Sequence, residues 1–108
     1  MKMIKAIVRP EKAADILACL NNAGFRAATR SSVLGRGKQQ GLKVGSVYYG
    51  EISKENITIV VEDGEVDAVA EIISKIARTG KDGAYGDGKI FILDVLRAIT
   101  ISTGEESL

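Results

Sequence analysis

Two stretches of the chain can be laid over one another residue by residue. Ile4 to Leu20 reads IKAIVRPEKAADILACL, and Ile57 to Ile73 reads ITIVVEDGEVDAVAEII. Each runs from an apolar strand through a charged turn into a helix with one apolar stripe. Strand material follows each helix, so strand–helix–strand occurs twice. In 108 residues this points to one α+β layer pair, with both helices on one face of an antiparallel sheet.

Local signals set the boundaries. Met3 to Val8 is the first strand. Pro10 and Glu11 open the first helix: proline lacks an amide that has no partner there, and glutamate faces the positive end of the helix dipole. Ala13, Ile16, Leu17, Leu20 and Ala23 form its buried stripe, and Cys19, flanked by that stripe, reads as a small packing residue. Gly24 stops the helix. Phe25 to Leu34 is a weaker, more polar strand, and Asn56 to Glu62 is the next. Asp63 reads as the cap of a second helix, with a stripe of Val66, Val69, Ala70, Ile73, Ile76 and Ala77. Lys89 to Thr103 supplies strand material in two pieces around Asp94, and Gly104 to Leu108 is a frayed tail. The pattern is that of a ferredoxin-like βαββαβ sandwich. Its second sheet face is partly apolar, which predicts self-association through that face.

Charge and composition exclude several functions. Fifteen basic and fourteen acidic side chains leave +1, against the basic excess of a general nucleic-acid binder. The absence of His removes His-dependent triads, most zinc sites and the usual proton shuttle near neutral pH. One Cys cannot form an intrachain disulfide. No apolar run reaches membrane-span length and no signal-peptide core follows Met1, so the expectation is cytoplasmic, without membrane insertion.

The chemistry lies with the glycines. Five of the twelve fall from Gly35 to Gly50, and four from Gly80 to Gly88. In Gly35-Arg36-Gly37-Lys38-Gln39-Gln40-Gly41 the backbone can turn its amides toward one point, and Lys38 adds charge. That suits phosphate; the plain alternative is a flexible loop. Gly83 to Ile90 (GAYGDGKI) has the spacing of a Walker A loop. Ile90 replaces the Mg²⁺-binding hydroxyl, however, and the segment runs helix to strand, so only an anion nest with Lys89 survives. The two loops are expected at opposite ends of a protomer's edge, which points to phosphate binding at a boundary between subunits. In the long loop, Lys43, Tyr48 and Tyr49 suit contacts with a partner. Glu62, Asp63, Glu65 and Asp67 read as helix-start residues rather than acid–base pairs.

GRGKQQG after the second strand, then ITIVVED, then TG and GDGKIF, then a closing TGEE together resemble the PII nitrogen-regulatory signal proteins, from Met1 to about Glu106. IVRPEK and KVGSVYYGEI are most similar to the nitrogenase-associated branch. The resemblance implies one PII-like domain over 1–108, with a T-loop at about 36–54, a B-loop at about 80–89 and a C-terminal strand and tail at about 97–108. It also implies a homotrimer, or a mixed oligomer with a paralogous subunit, that binds ATP or ADP between subunits. 2-Oxoglutarate binds through the Mg²⁺ of the bound ATP.

By position, nucleotide falls to Ile7, Thr29, Gly35, Gly37, Lys38, Gln39, Val60, Gly86, Asp87, Gly88 and Lys89. 2-Oxoglutarate falls to Gly37, Gln39, Gln40, Gly41 and Lys54, and Mg²⁺ to Gln39. The implied function is non-enzymatic: sensing ATP, ADP and 2-oxoglutarate and controlling nitrogenase through the T-loop. Alternatives are a general PII protein regulating an ammonium transporter or a nitrogen-assimilation enzyme, and a small phosphate-handling enzyme using Arg9. Three departures stand out. Asp82 to Tyr85 intervene between TGK and GDGK. The T-loop is shorter than in most relatives. Thr100 and Ser102 replace two phosphate-reaching arginines, contacts worth roughly 1.5–3 kcal/mol each.

Overall fold

A computed structural model describes residues 1–36, 42–44 and 47–108. Strand β1 (Lys2–Val8) leads into helix α1 (Pro10–Asn22), then β2 (Ala28–Gly35). Two short strands, β3 (Leu42–Val44) and β4 (Val47–Tyr49), pair only with each other, Lys43 opposite Tyr48. β5 (Ile52–Val61), α2 (Val66–Ala77) and β6 (Gly88–Asp94) complete the chain order. The main sheet has the order β2-β5-β1-β6, and every neighbouring pair is antiparallel. This is the ferredoxin-like arrangement.

The period-2 alternation of β5 buries Glu55, Ile57, Ile59 and Val61 on the helix side. Ile4, Ala6 and Val8 of β1 join them. Ile16 and Leu20 of α1 and Val69 and Ile73 of α2 close the core from above. Fully burying such a side chain contributes about 1.5–3 kcal/mol, so these residues carry the fold. α1 starts with Pro10 in its first turn and ends with amides of Ala23, Gly24 and Phe25 returned to Cys19, Asn21 and Leu20.

Four local expectations change. Cys19 is exposed: the buried stripe runs through Ala13, Ile16 and Leu20, and Cys19 falls beside it. Ala23 lies past the helix end and is exposed. Asp63 does not cap α2. It begins a single 3₁₀ turn, Asp63–Glu65, in which the Glu62 amide donates to Glu65 Oε1 at 3.3 Å, while the Asp63 carboxylate takes the amino group of Met1. The second strand piece after Asp94 does not form. Pairing with β1 runs out at Lys2 opposite Asp94, with only the Val95 amide going on to the Met1 carbonyl, and residues 99–106 make a turn closed by Ile99 and Glu106.

β5 also begins four residues before Asn56, pairing as far as Ile52 with Gly35. The polar Ser53, Lys54 and Glu55 hide that extension from a reading based on hydropathy.

Candidate functional site at the glycine-loop end of the sheet

Both β5 and β6 run antiparallel to β1, so both start where β1 ends: Val8 pairs with Glu55 on one side and Gly88 on the other. β2, antiparallel to β5, ends at the same edge. The bases of the two glycine-rich loops therefore lie together, not at opposite ends as the sequence suggested.

Gly88 is where the second loop meets the sheet. A β-carbon there would lie 1.8 Å from the Ile7 carbonyl oxygen, and φ is +111°. Only glycine fits so close an approach with that backbone. The loop before it is organised by one carboxylate. Asp87 accepts from the Thr79 hydroxyl (2.6 Å), the Thr79 amide (3.0 Å), the Ala84 amide (2.8 Å) and Arg9 Nε (3.2 Å). These bonds, the Thr79 hydroxyl foremost, hold its carboxyl well below the usual carboxylate range.

Lys54 reaches the same loop from β5 and donates to the Gly86 carbonyl. Its stem passes Gly35, whose imagined β-carbon would lie 3.5 Å from Lys54 Cγ. Burial, then the Arg9 guanidinium, lower its pKa from the ordinary lysine value. Among the described residues it has no ion-pair partner. A partly buried ammonium spent on one carbonyl is a ready donor to a carboxylate or phosphate.

On the face away from the helices, Ile7 stands opposite Lys89 across the β1–β6 pair, and opposite Asn56 across β1–β5. Thr29 stands opposite Thr58, diagonal to Val60. Thr29 and Val60 thus lie away from Ile7 on the side opposite the loops, by two residues (about 7 Å) and four residues (about 13 Å) along the strands. Ile7, Gly35, Lys54, Gly86, Gly88 and Lys89 gather at one end of the sheet; Thr29 and Val60 do not join them. Two surface clefts flank the first group, one of about 270 Å³ taking in Gly88 and Lys89, the other of about 320 Å³ taking in Lys54. Neither contains the whole set.

Gly37, Lys38, Gln39, Gln40 and Gly41 lie outside the described residues, and with them the position assigned to Mg²⁺. Lys43, Tyr48 and Tyr49 lie on the β3–β4 pair. Among the described residues no group of three His, Cys, Asp or Glu is placed to hold a metal, and no helix is long and apolar enough to cross a membrane. The donors present (two lysines, and glycine backbone at the mouth) fit an anion. Asp87 does not offer its carboxylate to a ligand, since it is spent within the protein.

Sequence reasoning missed the role of two residues here. It gives Arg9 a role only as the phosphate-holding candidate of the enzyme alternative, and Thr79 none. Both bind Asp87, across 78 and 8 residues of chain. An Asp between two glycines is a signal for a loop-organising carboxylate. Nothing local pairs Arg9 with Asp87.

The chain is thus a small α+β protein with a ferredoxin-like sheet that carries, at one end, two lysines and the bases of two glycine-rich loops. Comparison with known proteins narrows it. The family profile described as nitrogen regulatory protein P-II matches residues 1–105, and the chain belongs to that family. It is 52% identical, over the full length of both chains, to "Nitrogen fixation nifHD region GlnB-like protein 1" of Methanothermococcus thermolithotrophicus. It is 48% identical, again over both full lengths, to the protein of the same name from Methanothermobacter marburgensis. It is 42% identical to "Nitrogen regulatory protein P-II" of Pasteurella multocida, over 99% of this chain and 96% of that one.

Proposed function

We propose that this chain is a regulatory sensor that reads ATP, ADP and 2-oxoglutarate and controls nitrogenase through its long loop. The observation that carries the reading is the division of the candidate residues along the sheet. Ile7, Gly35, Lys54 and Lys89 stand toward the glycine-loop end, and Thr29 and Val60 toward the other, about 7 and 13 Å along the strands from Ile7. One copy leaves this set on an open sheet face; two copies packed through their uncovered faces enclose a ligand, one giving the cationic end and the other Thr29 and Val60.

In this reading the nucleotide sits between copies. Its phosphates meet Gly35, Gly37, Lys38, Gln39 and the Gly86–Lys89 segment. 2-Oxoglutarate meets Mg²⁺ and Gln39, with Gln40 and Gly41 nearby and Lys54 on the far carboxylate. Ligands switch the loop only to the extent that they bind its two forms differently, by a few kcal/mol. Exposed apolar side chains on the C-terminal segment, Leu96 at 92% and Ile101 at 99%, support assembly with another subunit. Because Thr100 and Ser102 occupy the positions of two arginines, a paralogous subunit retaining them completes the site in a mixed assembly. Nitrogenase as the target follows from the "nitrogen fixation nifHD region" in the names of the relatives.

The phosphate-enzyme alternative loses its key residue, since the Arg9 guanidinium is engaged by Asp87 and the Tyr85 carbonyl. Purified nitrogenase assayed with this protein tests the reading. Inhibition without ligand or with ADP, relieved by Mg²⁺-ATP plus 2-oxoglutarate, is expected. No effect on nitrogenase, together with binding to an ammonium channel, contradicts it and favours a general PII role.

A further inference from the structure

The loop from Gly80 to Gly88 carries four glycines with φ between +64° and +111°. It has little side-chain bulk with which to hold itself. Among the described residues, one backbone bond lies within it, Asp87 amide to Ala84 carbonyl at 3.2 Å. The rest of its order comes from Asp87, from Lys54 on the Gly86 carbonyl, and from a residue 70 or more positions away in the chain.

That residue is Arg9, at the N-cap of α1. Its Nη2 donates to the Tyr85 carbonyl at 2.8 Å and its Nε to Asp87 Oδ1 at 3.2 Å. Between those two points the guanidinium lies over Gly86: a β-carbon there would sit 3.1 Å from Nη2 and 3.5 Å from Cζ. The same point is 3.7 Å from Lys54 Nζ, which holds the Gly86 carbonyl. Two cations thus bracket one glycine, and their situations differ. Arg9 is neutralised by Asp87. Among the described residues, Lys54 has only the carbonyl.

We infer that Arg9 is a positioning residue, which fixes Tyr85–Asp87 so that the Gly86 carbonyl parks the Lys54 ammonium at the mouth of the anion site. Arg9 itself stays with Asp87 and touches no ligand. The planar guanidinium suits this, since it spans two acceptors in fixed directions; a lysine satisfies one. It also accounts for how this chain tolerates Asp82 to Tyr85 in a loop next to its site: Arg9 binds the end of that stretch directly.

The ligand-binding half of the test rests on the proposed sensing of 2-oxoglutarate; the loop half does not. Hydrogen exchange on the ligand-free protein is followed at the Thr79 and Ala84 amides, both bonded to Asp87. Arg9→Ala is expected to speed both by about tenfold or more, with core amides such as those of Ile4 and Ile57 unchanged. Arg9→Lys falls between Arg9→Ala and the parent. Calorimetric titration of 2-oxoglutarate with Mg²⁺-ATP is expected to weaken in the same order, about tenfold for Arg9→Ala. Unchanged exchange with lost affinity makes Arg9 a direct ligand contact and overturns the inference. So does exchange raised throughout the core. If the parent protein binds no 2-oxoglutarate, the sensing reading fails, and the exchange arm still decides what Arg9 does.

Discussion

Two residues, Gly88 and Asp87, show how tightly the site end is specified. At Gly88 the Ile7 carbonyl occupies the place of a side chain. Gly88→Ala must both strain φ and push β6 off β1. It should cost about 3 kcal/mol or more, read as a fall in the urea unfolding midpoint. Asp87 sets a pH dependence. Its hydrogen bonds favour the ionised form, so its folded pKa lies below its unfolded value, which is about 3.9. In between, the unfolded chain binds more protons, and acid favours unfolding. The stabilisation is therefore complete above about pH 5 and is lost as pH falls through the carboxylate range. Asp87→Asn should lower stability at pH 7 by about 1–3 kcal/mol and flatten the acid limb of a stability–pH curve. Some slope should persist, because Ser32 and Arg30 also hold Glu55 below its ordinary value. An acid limb as steep as the parent's would contradict this role. The glycines were legible as loop residues in the sequence. That one of them is compelled by a carbonyl on another strand was not, because that contact spans 81 residues of chain.

At the scale of elements, hydropathy period carried most of the fold. The stripes on α1 and α2 predicted buried faces that, Ala23 and Ala70 apart, the structure places in or against the core. Ile73→Ala, which empties a fully buried position on α2, should cost about 2–5 kcal/mol by chemical denaturation. A cost below 1 kcal/mol would mean that α2 packs less closely than described. Where reading by period failed, the cause was polar content. Ser53, Lys54 and Glu55 look like loop, yet Glu55 is buried, bonded to Arg30 at 3.1 Å and Ser32 at 2.9 Å across the strand pair. A cross-strand hydrogen-bond set of this kind stabilises a strand without leaving a hydrophobic signal. The same blindness hid the closeness of the two loops. Only the strand directions reveal it, and they follow from a sheet order that no local pattern encodes.

At the scale of the whole molecule, the sheet has one face without helices and a chain end with exposed apolar side chains, Leu96 and Ile101 foremost. In the proposed function these surfaces belong to an assembly, and the ligand site lies between its members. The motifs GRGKQQG and GDGK pointed to the family before any coordinate did, and the relatives' names agree with it. What the sequence left out is how the pieces are held. Arg9, Thr79 and Asp87 fasten one loop, and Lys54 ties it to β5, where the first loop returns to the sheet. The central claim is a coupled sensor, in which 2-oxoglutarate is recognised only when Mg²⁺-ATP is in place. Calorimetric titration of 2-oxoglutarate, with and without Mg²⁺-ATP, tests it most directly, using the protein alone and co-expressed with a paralogous subunit. Heat of binding only with Mg²⁺-ATP, abolished by Lys54→Met, is the predicted result. Equal binding without nucleotide, or no binding even in the mixed assembly, would contradict it.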